Sequence, residues 1–120
     1  MYDHIGIKVK DLDASVRFYG AALKALGHEV GSRDDSSAGI GPKDAPALWL
    51  YLDNSGGRTS THIAFVANDR KAVERFYAEG LKAGGRGNGE PGVRSDYSPR
   101  YFAAFLFDPD GNNVEAVCMK

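Results

Sequence analysis

The sequence predicts an α+β fold of two tandem βαβββ modules related by a pseudo-twofold axis. Three observations predict it: an internal repeat, the same order of strand and helix patterns in both halves, and a length of 120 residues that suits one domain. Shifting the chain by 58 residues lays His4-Ile5 on His62-Ile63, Asp11 on Asp69, Ala14 on Ala72, and Arg17-Phe18-Tyr19 on Arg75-Phe76-Tyr77. Leu23-Lys24-Ala25 falls on Leu81-Lys82-Ala83, and Gly27 on Gly85. These are 11 identities in the 24 positions from His4 to Gly27, without a gap, where unrelated sequence gives roughly one or two. The shared His-Ile pair and Arg-Phe-Tyr triplet in one register argue against coincidence.

Each module justifies the same elements in the same order. From His4 to Val9 the residues alternate, with Ile5, Ile7 and Val9 on one face and His4, Gly6 and Lys8 on the other, as in a half-buried strand. Asp11 offers a helix N-cap, and Val16, Tyr19, Leu23 and Leu26 recur at helical spacing until Gly27 stops the run. Strand candidates follow at His28 to Ser32, Ala38 to Gly41 and Ala47 to Leu52, with Gly31 to Pro46 otherwise reading as a solvated loop. The polar stretch Asp53 to Arg58 marks the boundary, so module one covers about residues 1–55 and module two about 56–120 of a single domain. In the second half, His62 to Ala67 repeats the strand, and Asp69 caps a helix carrying Val73, Phe76, Tyr77 and Leu81 up to Gly84-Gly85. A glycine-rich stretch from Gly84 to Gly92 reads as a mobile loop, with a short strand near Val93. Arg100 to Phe107 and Asn113 to Met119 then form a hairpin across Asp108-Pro109-Asp110-Gly111, where proline presets the turn and glycine supplies a positive φ. Units of ~60 residues struggle to fold alone, so the two should pack together.

Composition removes several function classes. Fifteen Lys and Arg against 16 Asp and Glu give a net charge of −1, with no basic excess to neutralise a phosphate backbone, so nucleic acid is not expected as a partner. No apolar run approaches the ~18 residues of a membrane span, and Met1-Tyr2-Asp3-His4 is acidic where a signal peptide would be basic. A cytoplasmic protein with no membrane partner is expected. The single cysteine, Cys118, reads as a small buried hydrophobe.

Of three histidines, His4 and His62 occupy the same place in the two repeats. Equivalent residues near a local twofold converge, and two imidazoles brought together begin a divalent-metal site. The plain alternative is that a repeat duplicates its core. A metal site also wants a carboxylate, and Glu115 is the candidate: on the last strand Val114, Ala116 and Cys118 share one face while Glu115 lies with Val117 and Met119 on the other. On a central strand such an acid must be paired, protonated or metal-bound; on an edge strand it would sit in solvent. Trp49 and Tyr51 could line a pocket, with core packing as the alternative. Tyr97, Arg100 and Tyr101, after the glycine-rich stretch, could also face a ligand, and Tyr101 joins Glu115 as a candidate catalytic residue. The glycine spacing lacks the Gly-Lys-Ser/Thr ending of a phosphate loop.

The strand with His4, the helix bearing Arg17-Phe18-Tyr19, the strand with His62 and the run from Tyr101 through Asp108-Pro109-Asp110-Gly111 to Glu115 and Val117 resemble the vicinal oxygen chelate superfamily. That superfamily groups glyoxalase I, the fosfomycin and bleomycin resistance proteins and the extradiol dioxygenases. The resemblance implies a cup-shaped mixed sheet around one divalent ion (Zn, Fe(II), Ni or Mn), held by His4, His62 and Glu115. It further implies a metal-dependent lyase, isomerase or dioxygenase acting on a small molecule with neighbouring oxygens. The alternative is a metal-free protein of the bleomycin-resistance kind that sequesters its ligand. One difference stands out: the strand Ala47 to Leu52 lacks the glutamate that glyoxalase I proteins carry there. A homodimer is expected, both from such relatives and because eight strands in one pair of modules leave open edges.

Overall fold

The computed structural model describes residues 1–57 and 60–120; Arg58, the last residue of the expected boundary, lies outside them. Module one runs β1 (Ile5–Val9), α1 (Leu12–Lys24), β2 (Glu29–Arg33), β3 (Ser37–Gly41) and β4 (Leu48–Leu52). Module two runs β5 (His62–Val66), α2 (Arg70–Lys82), β6 (Arg86–Val93), β7 (Phe102–Phe107) and β8 (Asn113–Cys118). The strands make two four-stranded sheets with the same plan, β1-β4-β3-β2 and β5-β8-β7-β6. In each, the first strand pairs in parallel with the last and the other pairings are antiparallel. The two sheets share no strand, and they do not close into a barrel.

The helices begin and end by the same devices. The Asp11 carboxylate accepts the Ala14 amide at 3.0 Å and Asp69 accepts the Ala72 amide at 2.7 Å, each satisfying an amide of the first turn. At the far ends Gly27 takes φ 91° and Gly84 takes φ 101°, left-handed values that turn the chain back so that the His28 and Gly85 amides bond to Leu23 and Gly80 carbonyls.

Each sheet turns one face to its helix and leaves the other open. Ile7, Val9, Ala38, Ile40, Leu48 and Leu50 are buried on the covered side of the first sheet. Ala104, Leu106, Val114, Ala116 and Cys118 are buried in the second. The two helices pack on one another, so a single hydrophobic core runs through both modules. Gly80 of α2 makes this close approach possible: a Cβ there would collide with Leu106 and come within 3.3 Å of Phe18. Gly80→Ala should gain up to ~1 kcal/mol in helix propensity. Overpacking should cost more, about 1–3 kcal/mol, so a lower urea midpoint is expected.

Two stretches differ from the sequence expectation. Arg86–Val93 is strand β6 rather than a mobile loop. As an edge strand it tolerates Pro91, which has no N–H to donate, and its glycines sit where the register with β7 slips, at Gly87/Gly89 and Gly89/Gly92. Within Gly31 to Pro46, β3 is almost wholly buried rather than solvated. Its Gly39 gives no apolar signal, yet it is required because the Trp49 ring lies directly against it.

The Asp108–Gly111 turn is fastened to the other module. Asp108 is buried and accepts four hydrogen bonds, from the Asp110 and Asn112 amides, the Asn112 side chain and the Tyr19 hydroxyl of α1. Burial, then the Asp108 charge, push the Tyr19 pKa well above its ordinary value, so this phenol stays a donor. Among the described residues, no helix is long and apolar enough to cross a membrane.

Candidate functional site

The shared register superimposes the two modules residue by residue. Gly6 of β1 pairs with Trp49 of β4, and Ala64 of β5 pairs with Glu115 of β8. Trp49 therefore occupies the first-module counterpart of the Glu115 position. In that sheet the open face carries aromatic rings laid over glycines, Trp49 on Gly39 and Tyr51 on Gly6.

The second sheet carries the polar cluster. β8 is an inner strand, so Glu115 is buried, with 2% of its surface accessible, and does not reach solvent as an edge residue would. Both oxygens are engaged: Oε2 accepts the Tyr101 hydroxyl, and Oε1 lies 3.0 Å from His62 Nε2. Burial, followed by the hydrogen bond to Glu115 and its charge, push the Tyr101 pKa up to about 12, so Tyr101 remains a donor near neutral pH. The His62 ring is oriented by its other nitrogen, which lies 3.2 Å from the Asn113 carbonyl. A carbonyl only accepts, so Nδ1 is the donor in that contact and Nε2 is the ring atom directed at the carboxylate. Two electron-rich atoms at this distance attract only through a shared cation, either a second proton on the ring or a metal ion. Ligand atoms ~2.1 Å from a common ion and at right angles stand about 3 Å apart, so the pair fits a divalent metal.

Aromatic groups frame this cluster. Phe105 pairs directly with Glu115 across the β7–β8 ladder, and His62 stacks on it with ring centroids 6.3 Å apart. Tyr97 meets Tyr101 edge-to-face at 4.9 Å. On the β6 side, the Arg94 guanidinium lies 5.3 Å from the Phe105 ring centre.

The sequence candidates thus divide. His62, Glu115, Tyr101 and Tyr97 come together on the second sheet. His4 does not join them: its Nδ1 lies 2.6 Å from Asp3, its ring is half-exposed, and it borders a cavity of about 190 Å³ with His28, Ile40, Leu48, Ile63 and Phe65. Among the described residues no three His, Cys, Asp or Glu side chains converge within the chain. Trp49 and Tyr51 stand on the first sheet, and Arg100 is exposed with no side-chain hydrogen bond or ion pair among the described residues. Phe105 and Arg94 were missed by sequence reasoning. The alternation of β7, which puts residue 105 on the face of residue 101, could have found Phe105; no local signal marked Arg94.

The family model of the Glyoxalase/Bleomycin resistance protein/Dioxygenase superfamily matches residues 2–116. The chain belongs to this superfamily. A glyoxalase/bleomycin resistance protein from Albidiferax ferrireducens T118 is similar at 29% identity and a TM-score of 0.82, over 98% of this chain and 97% of that one. The E144Q mutant of glyoxalase I from Zea mays is 25% identical with a TM-score of 0.72, over 95% of this chain but 45% of that one. A superfamily enzyme from Burkholderia phytofirmans PsJN shares the fold at 16% identity, with a TM-score of 0.70, over 96% of this chain and 95% of that one. No curated protein matches the chain. Superfamily membership agrees with the duplicated topology.

Proposed function

We propose that this superfamily member is a divalent-metal-dependent enzyme acting on a small molecule with two neighbouring oxygens. We propose further that its working form is a homodimer. The observation that carries the reading is the buried Glu115 carboxylate facing Nε2 of His62 at 3.0 Å. When bound there, a divalent ion would act as a Lewis acid on the substrate oxygens. Glu115 and His62 would hold the ion, the Asn113 carbonyl orients the His62 ring, and Tyr101 occupies the second carboxylate oxygen so that the first stays directed at His62.

The third ligand is His4, supplied by a second copy. Within the chain His4 immediately precedes β1 of the other sheet, at the sequence place equivalent to His62, and both open faces expose apolar side chains, Tyr51 on one and Val66 on the other. A twofold that sets the first sheet of one copy over the second sheet of its partner covers these faces and builds two identical sites. Trp49 and Tyr51 then become the wall opposite Phe105.

Metal analysis of untagged protein, combined with size-exclusion mass measurement, tests this. About one ion per chain in a dimer is expected, with His62→Ala and His4→Ala each losing at least tenfold in metal affinity. A monomer, or a His4→Ala variant with full metal content, overturns the shared site. A dimer that takes up no metal favours sequestration of a flat ligand, to which Trp49 on its glycine platform is suited.

A further inference from the structure

The open face of the second sheet carries a cation that the metal reading does not use. Arg94 follows β6 and folds back over the sheet. Its Nη1 donates to the Gly92 carbonyl at 2.9 Å and its Nη2 to the Glu90 carbonyl at 2.7 Å. The guanidinium is thereby fixed over Phe105, the cross-strand neighbour of Glu115. The backbone makes room for it: a Cβ on Gly89 would lie 3.1 Å from Nη2, and one on Gly92 would lie 3.2 Å from Nη1. Both are contacts that few side chains tolerate. Neither carbonyl neutralises the charge, and no carboxylate pairs with Arg94 among the described residues. Its remaining N–H groups, Nε–H among them, have no partner there either. The buried carboxylate of this face, Glu115, is already occupied by Tyr101 and His62.

A rigid, uncompensated guanidinium beside an aromatic ring is a receptor for a planar anion. Its fork matches a carboxylate, and the cost of ordering the side chain is already met by the two carbonyl bonds. We infer that Arg94 binds a carboxylate of the substrate, so that the substrate is a small organic acid whose neighbouring oxygens are directed towards His62 and Glu115. This substrate class rests on the enzymatic reading above, whereas the anion site itself does not need the metal.

The experiment therefore uses protein stripped of metal and then freed of chelator by dialysis, at low salt, with benzoate and its neutral analogue benzamide as probes. Benzoate is expected to bind at least tenfold more tightly than benzamide. It should also move the Arg94 Nε–H resonance of the wild-type protein, which benzamide leaves in place. Arg94→Met should abolish the preference, and Arg94→Gln should do the same while keeping a side chain able to donate to a backbone carbonyl. Equal binding of the two probes, or an unmoved Arg94 resonance in wild-type protein, overturns the proposal even where a variant folds poorly. Loss of metal binding in His62→Ala with the benzoate preference intact separates this site from the metal reading, since each then stands or falls alone.

Discussion

Glu115→Gln is expected to lower metal affinity by more than ~100-fold while leaving the metal-free protein as stable as the wild type, or more stable by ~1–2 kcal/mol. The two effects have opposite signs because Glu115 is costly to the empty fold. Its carboxylate is almost wholly withdrawn from water on an inner strand, and it faces a half-exposed histidine that water can solvate without help. Glutamine keeps the shape and can still accept from Tyr101, but it carries no charge to desolvate and is a poor ligand for a divalent ion. Metal content together with urea unfolding in EDTA measures both quantities on the same sample. A variant that retains its metal would remove Glu115 from the site, and one that loses several kcal/mol in EDTA would make the residue a structural one.

Asp108→Ala should have the largest effect on stability, a loss of about 3–5 kcal/mol. The carboxylate is buried and satisfies two amides of the hairpin turn, the Asn112 side chain and the Tyr19 hydroxyl, so alanine leaves three buried donors and one partly buried donor without their acceptor at once. Against a total of ~5–15 kcal/mol for a domain of this size, that is enough to bring the protein near its unfolding threshold. Tyr19→Phe removes one of the four bonds and leaves Asp108 with three, so it should cost only ~1–2 kcal/mol. Urea midpoints of the two variants check the ordering. Equal midpoints would mean that the turn holds itself without help from the carboxylate.

The contrast between these two acids explains how far the sequence could be read. Strands, helices and their repeat were legible because alternation and helical spacing are local properties, and the duplicated caps Asp11 and Asp69 reinforced one another. Glu115 was legible as an acid in an apolar strand. β6 was not, because its glycines accommodate distant groups rather than loops: Gly87 meets the Tyr77 hydroxyl, and Gly89 meets Phe105 and Arg94. The separation of His4 from His62 was not legible either. The repeat gives the two residues equivalent places, but whether equivalent places converge depends on which faces the modules turn to each other. Here the helices make that contact, and the histidines remain apart, His4 just before β1 and His62 in β5.

The hydroxyl that closes on Asp108 belongs to a residue 89 positions earlier in the chain. Such a separation raises the contact order and forbids sequential completion: during synthesis α1 and its sheet must wait, with the Tyr19 hydroxyl still solvated, until residue 108 has been made. The duplicated halves therefore should not behave as beads on a string, since neither can reach its final stability before the other exists. Unfolding should follow a single cooperative transition despite the visible symmetry, and a first module expressed alone should be partly folded and prone to aggregate.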